Sequence, residues 1–137
     1  MAVTKWKGQL AEVEVIRDSV ERGYRVSLPM SEDCPYDLVV ERRGRCDRLE
    51  RVQCKYVESN GEYVVVRCRT TNRTCEIRYT DHDIDWIATF DATTKQCYYV
   101  PSSLLGPHGR TVVHLRLVPT MNAQLIGVRW ATDYLVW

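Results

Sequence analysis

The chain has 137 residues, 45% of them hydrophobic and 27% charged, with a formal net charge of +1. That length and composition predict one soluble domain over residues 1–137, large enough for a real core, and exclude a disordered or fibrous chain. No apolar run approaches the ~20 residues that a membrane span needs, and no apolar stretch follows Lys5 and Lys7 as a signal peptide requires; a cytoplasmic protein with no membrane partner is expected.

In chain order, Lys7 to Arg22 reads as a helix, with Gly23 as its stop signal. Helical periodicity puts Glu12 on the face of Val15, Ile16 and Ser19, and Glu14 on the face of Arg17, Asp18 and Glu21. A carboxylate on an apolar stripe is costly unless it is paired or binds a cation. Glu12 is therefore expected to look inward, toward a metal or a core Arg or Lys, and Glu14 outward.

Tyr24 to Pro29 is a short extended segment, and Asp37–Glu41 and Leu49–Val57 are predicted strands. Side chains alternate along a strand, so Gln53 and Lys55 share one face and Val52, Cys54 and Tyr56 the other. If the two strands pair, Asp37 lies near Gln53 and Lys55. An Asp, a second oxygen ligand and a Lys at one end of a sheet suit metal-assisted phosphodiester hydrolysis. The oxygens hold Mg²⁺, and the Lys orients the attacking water. Arg42, Arg43 and Arg45 between these strands, with Arg67 and Arg69 further on, form a local basic surface suited to DNA phosphates. The competing reading is an ordinary solvated surface, because Glu41, Asp47 and Glu50 are interleaved.

Asn60-Gly61 is a hairpin signal leading into a strand from Glu62 to Arg69, and the three strands are expected to form an antiparallel meander. Asp81-x-Asp83-x-Asp85 lacks the Gly and the final acid of a calcium loop, with Trp86 and Ala92 in those places, and reads as a polar turn. Trp86–Phe90 and Cys97–Val100 form a strand pair across Asp91–Gln96, Thr111–Val118 is a strand, and Asn122 to Tyr134 is expected to be a short closing helix. The six cysteines form no Cys-x-x-Cys pair and read as free thiols, Cys54 being an apolar filler beneath its strand. His82, His108 and His114 carry no ligand spacing.

Four signals now stand in order: Gly8-x-x-Ala11-Glu12 on the helix, Gly23-Tyr24, Pro35-Tyr36-Asp37-Leu38-Val39, and Val52-Gln53-Cys54-Lys55. Tyr79, Asp83-Ile84-Asp85-Trp86 and Tyr98-Tyr99-Val100-Pro101 follow. Together they resemble the PD-(D/E)XK nuclease superfamily, and within it the small intron-encoded homing endonucleases, with Holliday-junction resolvases as cousins. The resemblance covers roughly residues 5 to 134. It implies an α+β, restriction-endonuclease-like mixed sheet flanked by helices. It also implies that Asp37 is the metal-binding Asp, Lys55 the motif Lys and Glu12 the first-helix Glu that contacts the metal. Gln53 stands where Asp or Glu is usual, and the homing branch is known for Gln there. Tyr36 separates Pro35 from Asp37, so the literal Pro-Asp pair is absent.

The resulting expectation is a Mg²⁺-dependent endodeoxyribonuclease of homing type, with Mn²⁺ able to substitute and double-stranded DNA as its partner. Its catalytic set is Glu12, Asp37, Gln53 and Lys55, of which Glu12, Asp37 and Gln53 hold the metal. One site per chain, with two strands to cut, implies a homodimer or homotetramer. The alternatives are a resolvase acting on branched DNA and a non-catalytic DNA-binding module.

Overall fold

The structure is a computed structural model and describes residues 5–42, 48–71, 74–122 and 125–137. A helix, α1 (Lys5–Glu21), is followed by β1 (Arg25–Ser27), β2 (Leu38–Glu41), β3 (Leu49–Val57), β4 (Tyr63–Arg67), β5 (Arg69–Thr71), β6 (Glu76–Arg78), β7 (Trp86–Asp91), β8 (Gln96–Pro101) and β9 (Val112–Arg116). Helix α1 ends where expected. Gly23 adopts φ 81°, its N–H reaches the Val20 carbonyl, and the Tyr24 N–H reaches that of Ser19. This double closure needs a left-handed residue, which Gly supplies without steric cost.

Five strands form one mixed sheet in the order β1-β2-β3-β7-β8. Strand β3 runs antiparallel to β2 and parallel to β7, and β8 returns antiparallel along β7. Period-2 alternation gives the sheet two apolar faces. On one, Leu38, Val40, Val52, Cys54, Ala88, Phe90 and Tyr99 pack under Ala11 and Val15 of α1. On the other, Ile87, Tyr98 and Val100 pack against Val64, Val66, Val113 and Leu115 of a β4–β9 ribbon. The layers are thus helix, mixed sheet and ribbon. Each fully buried Val or Leu contributes about 1.5–3 kcal/mol of transfer free energy.

Two expected elements are corrected. Strand β4 does not complete a meander; it pairs with β9, from Tyr63 opposite Arg116 to Arg67 opposite Val112. The edge of β3 beyond Val52 belongs to β7, and Val64 and Val66 bury instead against the face of the large sheet. Among the described residues the closing helix is also absent. Gly127 takes φ 77° in a turn, after which the Arg116 N–H bonds the Arg129 carbonyl at 2.7 Å and Trp130 bridges to Arg116, so the chain reaches the edge of β9 there. Ala131–Tyr134 coils as a 3-10 turn. Where one strand to Arg69 was expected, the chain breaks at Cys68 and begins the β5–β6 hairpin. Among the described residues no helix is long and apolar enough to cross a membrane.

Candidate active site

Asp37 stands one residue before β2, and its N–H donates to the Val52 carbonyl at 2.8 Å. The ladder begins with Leu38 opposite Val52, so the Cys54 N–H lies past the end of β2. The Asp37 carboxylate takes over there: its Oδ2 accepts the Cys54 N–H at 2.9 Å and the Gln53 Nε2 at 2.9 Å. The amide of Gln53 donates through its nitrogen in this contact, which leaves its oxygen to act as an acceptor or metal ligand.

Lys55 follows on the same face of β3. Its Nζ donates to the Arg69 carbonyl at 3.1 Å and lies 5.1 Å from the Tyr79 ring centroid. The β5–β6 hairpin therefore holds the ammonium from one side and the aromatic face from another. Burial pulls the Lys55 pKa below its ordinary value; Asp37 and Cys68 oppose this, and Arg67 adds to it. Burial pushes the Asp37 pKa up against the restraint of the Cys54 N–H and Lys55. Glu12, half-buried on α1, is also raised, first by burial and then by the Asp37 charge.

Asp37 joins two concavities. It shares one of about 370 Å³ with Gln53, Asp33, Thr70 and Tyr79, and another of about 330 Å³ with Glu12, Glu32 and Tyr36. The structure thus brings Gln53 and Asp37 into direct contact and sets Glu12 on the other side of Asp37. Glu14 is engaged elsewhere, accepting from Arg17 at 3.1 Å. Cys54 is buried under α1, as its strand alternation requires.

The donor set fits a hard divalent cation. Among the described residues no three His, Cys, Asp or Glu side chains form a metal cage by themselves. Two carboxylates and an amide oxygen are what Asp37, Glu12 and Gln53 supply, and Mg²⁺ is commonly held by one or two carboxylates, with waters and phosphate completing the shell. The raised pKa of both carboxylates marks a place where added positive charge relieves a cost.

Of the arginines expected at DNA, Arg42 is buried. It makes a two-pronged ion pair with Glu50 and lies 5.2 Å from the Trp86 ring centroid, so it braces the interior. Arg43 and Arg45 lie outside the described residues. Arg69 pairs with Glu76 at 3.2 Å, and Arg67 is exposed at the end of β4. Asp83 and Asp85 are loop-building groups: Asp83 accepts from Thr80, and Asp85 accepts from the backbone and guanidinium of Arg51. Reading the sequence missed Thr70 and the carbonyl that holds Lys55, because a three-residue hairpin leaves almost no periodic signal.

Residues 2–137 match the family described as PD-(D/E)XK endonuclease. A solved structure, that of the bacterial homing endonuclease I-Ssp6803I, superposes with a TM-score of 0.68 at 26% identity, covering 97% of this chain and 88% of that one. No curated protein sequence matches. An Asp at the start of a strand, locked to the next strand where a Gln and a half-buried Lys share one face, agrees with the match over nearly the whole length: the chain belongs to the PD-(D/E)XK endonuclease family and is a nuclease.

Proposed function

We propose that this nuclease is a metal-dependent endonuclease that cuts double-stranded DNA at a specific site, as a homing endonuclease does. The observation that carries the reading is the Asp37 carboxylate held by Gln53 and the Cys54 N–H, with Lys55 next on the same strand face. The similarity to a bacterial homing endonuclease supports the homing type over a junction resolvase. Asp37, Glu12 and the Gln53 oxygen would hold Mg²⁺, with Mn²⁺ as a substitute. A bound ion of this kind supplies Lewis-acid polarisation of the phosphate and a water of lowered pKa.

The chain's own groups do the rest. Lys55 donates toward the attacking water or the developing phosphorane charge, and its lowered pKa brings it closer to proton exchange at neutral pH. The Arg69 carbonyl and the Tyr79 ring fix its position. The Cys54 N–H keeps the Asp37 carboxylate from rotating. A chain with one such site cuts both strands as a homodimer or homotetramer.

The test is incubation with supercoiled and linear DNA, with MgCl₂, MnCl₂ or EDTA, beside a four-way junction. Divalent-dependent double-strand breaks at a discrete position are expected. Undiminished cutting in EDTA would remove the metal from the reading, and cutting confined to the junction would replace homing by resolution.

A further inference from the structure

The outer face of the β4–β9 ribbon lies outside the Glu12, Asp37, Gln53 and Lys55 cluster, and the charge of Arg67 at its end reaches Lys55. Val64, Val66, Val113 and Leu115 point inward, which turns Tyr63, Val65 and Arg67 of β4 and Val112, His114 and Arg116 of β9 outward. Arg110 and Arg129 flank this face. Together with His114 and Arg116 they line a concavity of about 350 Å³ that contains no carboxylate. Among the described residues, none of the ion pairs uses Arg67, Arg110, Arg116 or Arg129. The contrast is with α1 and the β5–β6 hairpin, where Arg17, Arg22, Arg69 and Arg78 all have acidic partners.

The face is built, not merely charged. Arg116 donates to the carbonyls of Val118 and Pro119 and lies 5.8 Å from the Tyr63 ring centroid, and that ring stacks on His114 with centroids 5.2 Å apart. Gly109, at φ 78°, lets the chain run within contact distance of Arg78 and Tyr79, where a Cβ would meet the Arg78 Cβ at 2.7 Å. That approach, with the Cys68 N–H on the Thr111 carbonyl, brings Arg110 to the same end of the ribbon as Arg67. Cys68 leads directly into β5, whose Arg69 carbonyl holds Lys55. The cationic face therefore begins beside the candidate active site and runs away from it along the ribbon.

We propose that this ribbon face, through Arg67, Arg110 and Arg129 with His114 and Arg116 between them, is the surface that grips the phosphate backbone of double-stranded DNA. The assignment rests on the nuclease reading given above. A two-stranded ribbon is narrow enough to lie along a duplex groove, and unpaired guanidiniums match phosphate oxygens in two-pronged geometry. The arginines position the duplex and carry no sequence information of their own.

The experiment measures binding of a fluorescein-labelled linear duplex of mixed sequence, and of its single strand, by anisotropy in EDTA over a series of salt concentrations. Arg67→Gln, Arg110→Gln and Arg129→Gln are made singly and together, with Arg25→Gln on the far sheet edge as a control. Each neutralised phosphate contact lowers the slope of log K against log salt by about 0.9, so the triple variant should lose about 2.7, with Arg25→Gln unchanged. Wild-type slope and affinity in a triple variant that melts like wild type would overturn the ribbon assignment and leave the nuclease reading standing. A loss confined to the single strand would overturn it as well. A wild-type protein that neither binds nor cuts the duplex would overturn both.

Discussion

Asp37 does two jobs at once, which shapes how its variants behave. It closes the end of the β2–β3 ladder through the Cys54 N–H, and it offers its charge to the site. Asp37→Asn keeps an acceptor oxygen and loses the charge, so cleavage should fall at least ~10²-fold with little change in melting temperature. Lys55→Ala should cost as much. Either variant cutting at the wild-type rate would remove these residues from the chemistry. Gln53 makes a sharper test, because its amide donates to a carboxylate that Gln53→Glu would confront with a second one. That variant should melt lower than wild type in EDTA and recover in MgCl₂, since a divalent ion offsets two facing charges. Equal melting with and without the ion would show that no cation sits there. The two helix carboxylates separate in the same way. Glu12→Gln should raise the Mg²⁺ concentration needed for half-maximal cleavage, and Glu14→Gln, which only releases Arg17, should not.

At the scale of elements, the β7–β8 connection is held by one buried carboxylate. Asp91 accepts from the Ser59 N–H at 2.9 Å, the Ser59 hydroxyl at 2.8 Å and the Thr94 hydroxyl at 2.8 Å, and further from the N–H groups of Thr93 and Thr94. Burial pushes its pKa up, yet these donors win and hold it below the ordinary Asp value. A depressed folded pKa means stability that is fully present above the unfolded value of ~3.9 and is lost as pH falls through the folded value. Asp91→Asn should cost about 1–3 kcal/mol near neutral pH, and the gap to wild type should shrink below pH ~4. Urea unfolding of both proteins across that range checks the sign; a constant gap would mean that Asp91 carries no charge-dependent stability. The same carboxylate ties Ser59, just past β3, to the end of β7.

At the scale of the molecule, Trp137 ties together β7, β8 and the connection between α1 and β1. Trp137 stacks on Tyr99 of β8 with centroids 4.3 Å apart and planes 6° off parallel, and meets Trp86 and Tyr24 edge-on at 5.8 Å each. Beside it, Asp18 accepts from Tyr99 and Arg22, and Arg22 also holds the Leu135 carbonyl. Trp137→Ala should cost roughly 2–4 kcal/mol, lowering the melting temperature on the order of 10 °C. A shift of only a degree or two in a calorimetric scan would show the aromatic cluster to be incidental to stability.

What the sequence determined by itself is local. Helix α1 and its Gly23 stop, strand β3 from Leu49 to Val57, the β7–β8 pair, the shared face of Gln53 and Lys55, and the convergence of Asp37 on Gln53 all follow from periodicity, turn chemistry and one pairing of neighbouring strands. Only the tertiary structure decided which strand accepts β4, because a turn specifies where a chain reverses and not which edge is free when it does. It also decided that Arg129 and Trp130 join the edge of β9, that Arg42 turns inward onto Glu50 and Trp86, and that Arg69 lends a carbonyl to Lys55. Each of these depends on a partner distant in the chain. Burial and long-range pairing outweigh the few tenths of a kcal/mol by which local propensity separates helix from strand.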